Sequence, residues 1–128
     1  MKGILVALTV AAVYACGGSG GSSSTAPKQQ PGNTTPPAGG ISVTNDAFSP
    51  TTKSVTAGTT VKWAWNSCSG DPYYGGQTCA SHSVTFDDGA TSATQEQGTF
   101  ERTFNTAGTF NYHCMVHGAA MSGSITVQ

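Results

Sequence analysis

Charged residues are scarce in this sequence: they make up 9% of its 128 residues and leave a formal net charge of −1. A nucleic-acid-binding protein needs a basic surface that neutralises a run of phosphates. From residue 41 onward there are three basic and six acidic side chains, so the folded part is predicted to be mildly acidic. Nucleic-acid binding is therefore not expected.

The sequence also lacks a long hydrophobic run. Its most apolar stretch lies within residues 2–15, which is shorter than the roughly 20 residues that a membrane-spanning helix needs. A basic start followed by a short apolar segment instead predicts a secretion signal. The tetrapeptide Val13-Tyr14-Ala15-Cys16 resembles the lipobox of bacterial lipoproteins, in which the cysteine is acylated. We therefore expect residues 1–15 to be a signal peptide cleaved before Cys16, with a plain secretion signal as the alternative.

Residues 16–40 contain almost only small, polar or proline residues, with one charge at Lys28. Such a composition cannot bury enough apolar surface to offset the entropy of ordering. It predicts a lipid-attached, disordered linker with a mean span of about 25 Å. The protein is thus expected to be exported and anchored to a membrane, facing the periplasm or the cell exterior.

From residue 41 to residue 128 the sequence shows no helical period. It shows short alternating runs of β-branched and aromatic residues, separated by Gly, Pro and Asn, a pattern typical of a β-sandwich. Alternation places Tyr112 and Cys114 on the core-facing side of one strand, and His113 on its other side. The predicted strands cover residues 41–44, 53–56, 60–65, 81–86, 99–104, 109–114 and 123–127.

Three of the four cysteines remain once Cys16 is assigned to lipid. Cys68 and Cys79 flank a polar loop, and thiols of an exported protein tend to be paired, so we predict a disulfide between them. The alternative is that both bind a second metal, although no His or carboxylate accompanies them at metal-site spacing. Cys114 is then left without a cysteine partner, which favours a metal as its occupant.

A thiolate, an imidazole and a thioether lie close together at Cys114, His117 and Met121, with His82 about thirty residues upstream. Soft sulfur donors combined with imidazole select copper, and two His, one Cys and a weak axial Met are the ligands of blue-copper electron-transfer sites. We therefore predict that these four residues bind one copper ion that cycles between Cu(I) and Cu(II).

The residues 41–128 resemble the cupredoxins of the plastocyanin and azurin superfamily. The resemblance rests on Phe48-Ser49-Pro50, on His82-Ser83-Val84 followed by Phe86, on the Cys114 loop, and on Val61-x-Trp63 preceded by Gly58. It implies a Greek-key β-sandwich of about seven to eight strands, with the metal at one end and one-electron transfer to respiratory or photosynthetic partners. The loop spacing Cys-x2-His-x3-Met differs from that of plastocyanins, amicyanins and azurins.

The predicted function is therefore an electron carrier between redox partners, most simply a monomer, and not an enzyme. The loop of small residues after His117 is expected to expose its ring edge for partner docking, through Gly118, Ala119 and Ala120. A copper chaperone or scavenger without redox turnover is the alternative. A single site with no second copper and no evident open coordination position disfavours a catalytic copper enzyme. Two interpretations of Ser83 stay open: its side chain stabilises the metal-binding loop as a brace, or it is a solvated serine.

Overall fold

The computed structural model describes residues 32–71 and 73–128. The predicted signal peptide and Cys16 with its predicted lipid lie outside these residues. The described part contains strands and turns only, and none of it forms a helix long and apolar enough to cross a membrane. The strands are β1 (Ile41–Thr44), β2 (Ala47–Ser49), β3 (Thr52–Val55), β4 (Thr59–Trp65), β5 (Cys68–Ser69), β6 (Thr78–Cys79), β7 (Thr85–Phe86), β8 (Thr99–Phe104), β9 (Gly108–Cys114) and β10 (Gly118–Val127).

Eight of these strands form two four-stranded sheets. One sheet has the order β2-β1-β4-β8 and the other the order β3-β10-β9-β7, while β5 and β6 form a separate two-stranded ribbon. The pairs β1–β4 and β3–β10 are parallel, and the other pairs are antiparallel. The chain passes from one sheet to the other between β2 and β3, β3 and β4, β7 and β8, and β8 and β9, and also between β4 and β7 by way of the β5–β6 ribbon. The predicted all-β sandwich is confirmed.

Two predicted strands differ from the observed ones by more than one residue, and the strands β2, β5 and β6 were not predicted. Only Thr85–Phe86 of the predicted strand 81–86 joins a sheet, because the preceding residues pair with the loop before β8: the backbone N–H and C=O of His82 both bond to Gln95, at 3.0 Å each. The last strand begins at Gly118 rather than at residue 123, and a register shift between Gly118 and Ser122 interrupts its pairing with β9. Both irregularities lie beside the predicted metal ligands.

The core between the sheets is aromatic. The ring of Tyr112 lies 4.8 Å from that of Phe48, 5.4 Å from that of Trp63 and 5.1 Å from that of Phe86, measured between centroids. Burial raises the pKa of the Tyr112 hydroxyl to about 12, so the phenol is neutral near pH 7. Tyr112 and Cys114 are both buried and His113 is half-buried on the other face, as the alternation predicts.

Gly123 permits this packing. A Cβ at this position would lie 2.5 Å from Cζ and Oη of Tyr112, and 2.7 Å from the carbonyl oxygen of Thr51. Real Cβ atoms do not approach other atoms so closely, because interiors are already packed to the density of organic crystals. A side chain here would therefore displace Tyr112 from the centre of the core.

The carboxyl end of the predicted linker contacts the domain. Asn33, which lies within the predicted disordered stretch 16–40, bonds to both backbone groups of Cys68: its Oδ1 accepts from the N–H at 2.8 Å, and its Nδ2 donates to the carbonyl at 3.1 Å. The N–H of Thr34 donates to the carbonyl of Trp65 at 2.6 Å. These contacts satisfy backbone groups past the end of β4, and composition alone does not reveal them. The part of the linker from Asn33 onward therefore packs against the sandwich.

Arg102 packs over the aromatic rings at the edge of the core. Its guanidinium carbon lies 4.2 Å from the centroid of the Phe86 ring and 4.9 Å from that of Phe104, and its Nη1 donates to Oδ1 of Asp88 at 3.0 Å. Hydrogen bonding from Arg102 is the main reason that the pKa of Asp88 lies below its ordinary value. Arg102 is thus both a packing residue and the partner of a half-exposed carboxylate.

We expect Arg102→Met to lower the free energy of unfolding by about 1–2 kcal/mol at neutral pH, through lost cation–π contact and a lost two-point ion pair. Because the folded-state pKa of Asp88 is depressed, the ion pair stabilises the protein above the unfolded carboxyl pKa, and this contribution is lost as pH falls through the folded pKa. The difference between variant and parent should therefore shrink in acid. Urea unfolding at neutral and acidic pH checks this, with Glu101→Gln as a control for an exposed pair; equal stabilities at neutral pH would contradict it.

Candidate metal centre

Three of the four predicted ligands converge at one end of the sandwich. His82 lies between β6 and β7, Cys114 is the last residue of β9, and His117 lies in the turn between β9 and β10. The distance from Cys114 Sγ is 3.8 Å to His82 Nδ1 and 3.7 Å to His117 Nδ1. One ligand atom from each of the three residues lies within 4.8 Å of the other two. Among the described residues, this is the one group of three or more His, Cys, Asp or Glu side chains that could hold a metal ion.

This spacing fits a single metal ion. Bonds from histidine nitrogen and cysteine sulfur to a transition metal such as zinc are about 2.0–2.3 Å long, so donors that share an ion lie some 3–5 Å apart. His82 and Cys114 are fully buried, whereas 32% of the His117 side chain is exposed. Thiolate with two imidazoles is the donor set that favours copper. The residues present therefore fit a copper ion, and His117 is the one residue of this group whose side chain solvent reaches.

His82 is held rigidly through its backbone. Besides the two bonds to Gln95, its carbonyl accepts from Nε1 of Trp65 at 3.2 Å. Its Nε2 is buried and has no hydrogen-bond partner in the described structure. Burial, followed by the neighbouring His117, lowers the pKa of His82. The ring is therefore kept in the neutral form, which is the form that binds metals.

The surroundings of Cys114 favour the thiolate form of its sulfur. Burial by itself would raise the pKa of this thiol, but hydrogen bonding outweighs it, foremost from the backbone N–H of Ser83, and the pKa lies below its usual value. The N–H of Ser83 donates to Sγ at 3.4 Å. Since the thiolate is the metal-binding form of cysteine, these contacts favour the ligand state.

Ser83 connects the two ligand segments. Its side chain is fully buried, its Oγ accepts from the backbone N–H of Met115 at 2.9 Å, and it also bonds to Thr85 Oγ1 at 3.2 Å. Of the two interpretations from sequence, the structure supports the brace rather than the solvated serine. The serine ties the residue after His82 to the residue after Cys114, so it fixes the distance between these two ligands.

Met121 lies on β10 beside this group. Ser122 pairs with His113 and Gly118 with Cys114, so residues 119–121 are the additional residues of a bulge, and bulges redirect side chains. Met121 is 1% exposed and belongs to the same core cluster as Cys114. The bulge therefore turns the thioether toward the interior at the metal-binding end of the strand.

The surface around His117 is apolar. Met115 and Val116 are 65% and 54% exposed, Ala119 and Ala120 are exposed, and Gly118 is half-buried. The predicted docking residues thus surround the partly exposed imidazole, together with two larger side chains that were not predicted. Apolar side chains of this size are buried in most folds, so their exposure is typical of an interaction site.

Asp46 is a further member of the site that the sequence did not indicate. Its Oδ1 lies 3.3 Å from Nε2 of His117, although the two residues are 71 positions apart. It lies in the turn between β1 and β2, where an aspartate is common for reasons of turn geometry alone. No local pattern distinguishes a turn aspartate from one that contacts a metal ligand.

His113 is not brought into the ligand group. Its Nδ1 lies 3.7 Å from Oδ1 of Asp87 on the outer face of the sheet. The predicted disulfide partners lie on the ribbon formed by β5 and β6, and the structure joins Cys68 to Cys79 with an S–S distance of 2.13 Å. This ribbon leaves the sandwich at the end of β4 and returns three residues before His82.

A family model described as copper binding proteins of the plastocyanin/azurin family matches residues 40–128. Among solved structures, the purple cupredoxin from Nitrosopumilus maritimus is similar over 70% of this chain and 98% of its own, with 21% identity and a TM-score of 0.56. A reduced proline-to-phenylalanine mutant of amicyanin is similar over 70% and 80%, with 23% identity and a TM-score of 0.52. A copper-containing nitrite reductase from Thermus scotoductus is similar over 70% of this chain but only 22% of its own, with 20% identity and a TM-score of 0.56. At these identities the structures support the fold and no catalytic assignment.

Proposed function

The chain belongs to the plastocyanin/azurin family of copper-binding proteins, and we propose that it carries single electrons between redox partners through one copper ion held by His82, Cys114, His117 and Met121. The observation that carries the proposal is the convergence of two imidazole nitrogens on one buried thiolate within 4.8 Å. Copper bound there would alternate between Cu(I) and Cu(II).

The chain's own residues favour this role because they hold the donor atoms in place. Ser83 joins the two ligand segments, and Gln95 with Trp65 fixes the backbone of His82. A site that does not rearrange when the charge of its metal changes by one unit offers a small barrier to electron transfer, since rearranging packed groups costs free energy. Burial of His82 and Cys114 also keeps water from the metal.

We place electron exchange at the exposed edge of His117. This ring is the one part of the ligand group that is not buried. Apolar side chains flank it along the chain, and the Asp46 carboxylate lies beside its Nε2. A redox protein docked on Met115, Val116, Ala119 and Ala120 would approach the imidazole closely through apolar contacts, with Asp46 as the one charged group of the described chain at that edge of the ring. The partners are therefore proposed to be other redox proteins that present an apolar contact surface.

For localisation, we propose an exported protein that is attached to a membrane through a lipid on Cys16 and acts as a monomer. The residues before Cys16 support export, and the bond between Cys68 and Cys79 is of a kind that persists in oxidising compartments. Residues 33 and 34 of the predicted linker contact the domain, whereas residues 16–31 lie outside the described residues.

Cyclic voltammetry of the copper-loaded protein tests the proposal. An electron carrier should give a reversible one-electron couple that persists over repeated cycles, with copper retained in the presence of a Cu(I) chelator. A copper chaperone would instead pass its metal to the chelator and show no stable couple. Loss of copper during cycling would therefore favour the chaperone function over electron transfer.

A further inference from the structure

Asp46 occupies an unusual backbone position at the edge of the metal centre. Its φ is 63°, and it is the one non-glycine residue with positive φ that the described chain contains. The flanking residues Thr44 and Ala47 pair across the two-residue turn, and Thr44 Oγ1 donates to the Ala47 carbonyl at 2.9 Å. Asp and Asn tolerate this conformation better than other L-residues. The turn therefore fixes the direction in which the Asp46 carboxylate projects.

The carboxylate determines which nitrogen of His117 carries the proton. Nδ1 of His117 faces Cys114 Sγ at 3.7 Å, and Nε2 faces Asp46 Oδ1 at 3.3 Å. An ionised carboxylate only accepts hydrogen bonds, whereas the thiol of Cys114 can also donate one, so the hydrogen of a neutral ring belongs on Nε2 and the lone pair on Nδ1. That is the tautomer in which Nδ1 is free to bind a metal. A carboxylate on the distal nitrogen also orients a ligating ring and makes it more basic.

We infer that Asp46 is a positioning residue for the ligand His117: it holds the ring in the metal-binding tautomer, and its negative charge favours the more positive, oxidised state of the site. The inference rests on the proposed function only for its second half. It differs from a purely structural role in the turn, which would change folding and leave both the tautomer and the potential unaltered.

The size of the effect follows from exposure. The Asp46 side chain is 79% exposed and that of His117 is 32% exposed, so water screens the pair strongly. Exposed pairs of this kind change equilibria by about two- to fivefold. Because a tenfold change corresponds to 59 mV for a one-electron couple, removal of the charge should raise the copper potential by about 20–40 mV.

The chain offers a matched control in Asp87. This aspartate also faces a histidine nitrogen, Nδ1 of His113 at 3.7 Å, but His113 is not among the converging ligands. Asp87→Asn removes the same charge and leaves the contact to His117 intact. A change that is common to Asp46→Asn and Asp87→Asn is a general effect of net charge.

The test uses Asp46→Ala and Asp46→Asn with the Asp87→Asn control. In the metal-free protein, ¹⁵N–¹H NMR of the neutral imidazoles near neutral pH should show His117 protonated on Nε2 in the parent, in Asp46→Asn and in Asp87→Asn. It should show mixed tautomers in Asp46→Ala. In the copper-loaded protein, both Asp46 variants should have a potential higher by about 20–40 mV, and the Asp87 variant a smaller change.

An unchanged His117 tautomer in Asp46→Ala would overturn the positioning role, and so would equal potential shifts in Asp46→Asn and Asp87→Asn. The NMR measurement needs no copper. A parent protein that gave no reversible couple would therefore contradict the electron-carrier function, while the tautomer result would still decide the role of Asp46.

Discussion

Replacing Cys114 with serine should abolish the intense visible absorption expected of the copper-loaded protein. In a blue-copper site this absorption depends on the thiolate bond to copper, and Cys114 supplies the one free thiol of the described chain. The serine hydroxyl is a hard, neutral donor at neutral pH, so the variant should lose at least tenfold in Cu(I) affinity. Optical and paramagnetic-resonance spectra of the two loaded proteins measure the change.

A matched control is His113→Ala. His113 is the chain neighbour of Cys114 but lies on the opposite face of β9, beside Asp87. The control variant should keep the absorption band, because His113 contributes no atom to the group formed by His82, Cys114 and His117. A band that survives Cys114→Ser, or that disappears in His113→Ala, would contradict the assignment of Cys114 as the ligand sulfur.

Replacing Cys68 and Cys79 together with serine should lower the free energy of unfolding by about 2–3 kcal/mol. The bond closes a loop with a sequence separation of 11 residues, and the entropy of an open loop of this size in the unfolded chain gives this magnitude. The ribbon of β5 and β6 has only two paired positions, so its strand pairing alone stabilises it little. Urea unfolding of the metal-free double variant and its parent measures the difference.

The absorption spectrum of the copper-loaded double variant shows whether the Cys68–Cys79 disulfide only stabilises the fold or also shapes the metal site. Ser67 is buried and its Oγ donates to the carbonyl of Ala80 at 2.9 Å, which anchors the base of the ribbon independently of the disulfide. We therefore expect the double variant to keep the absorption band of the parent. An unfolding midpoint equal to that of the parent would contradict the stabilising role.

The parts of the site that lie close together in the sequence were predictable from it. Cys114 and His117 share one loop, and alternation along β9 directs the cysteine toward the core while it directs His113 away. His82 was predicted from its residue type and its resemblance to a family pattern. For Cys114 and His117 the information is local, because strand periodicity and donor chemistry are properties of neighbouring residues.

The contacts that depend on topology were not predictable. Asp46 follows β1 in one sheet, whereas His117 lies between β9 and β10 of the other sheet, so their contact depends on how the two sheets pack. Asn33 binds the backbone of Cys68 within a segment whose composition predicts disorder. A polar residue in a low-complexity stretch carries no sign of its partner, so such contacts require coordinates.

The strand errors near the site have a similar origin. His82 and Val84 are buried as in a strand, but burial does not specify the pairing partner, and here the loop containing Gln95 provides it. The bulge at residues 119–121 adds residues to β10 without a hydrophobic pattern, since Ala119 and Ala120 are exposed. Both segments depart from regular strand pairing next to residues whose side chains converge on the predicted metal site.

X-ray absorption spectroscopy at the copper edge tests the central claim most directly, because it counts the atoms bonded to the metal. The copper-loaded protein should show two nitrogen neighbours and one short sulfur neighbour, and the sulfur contribution should vanish in Cys114→Ser. A copper ion surrounded only by nitrogen and oxygen in the parent protein would contradict the proposed site.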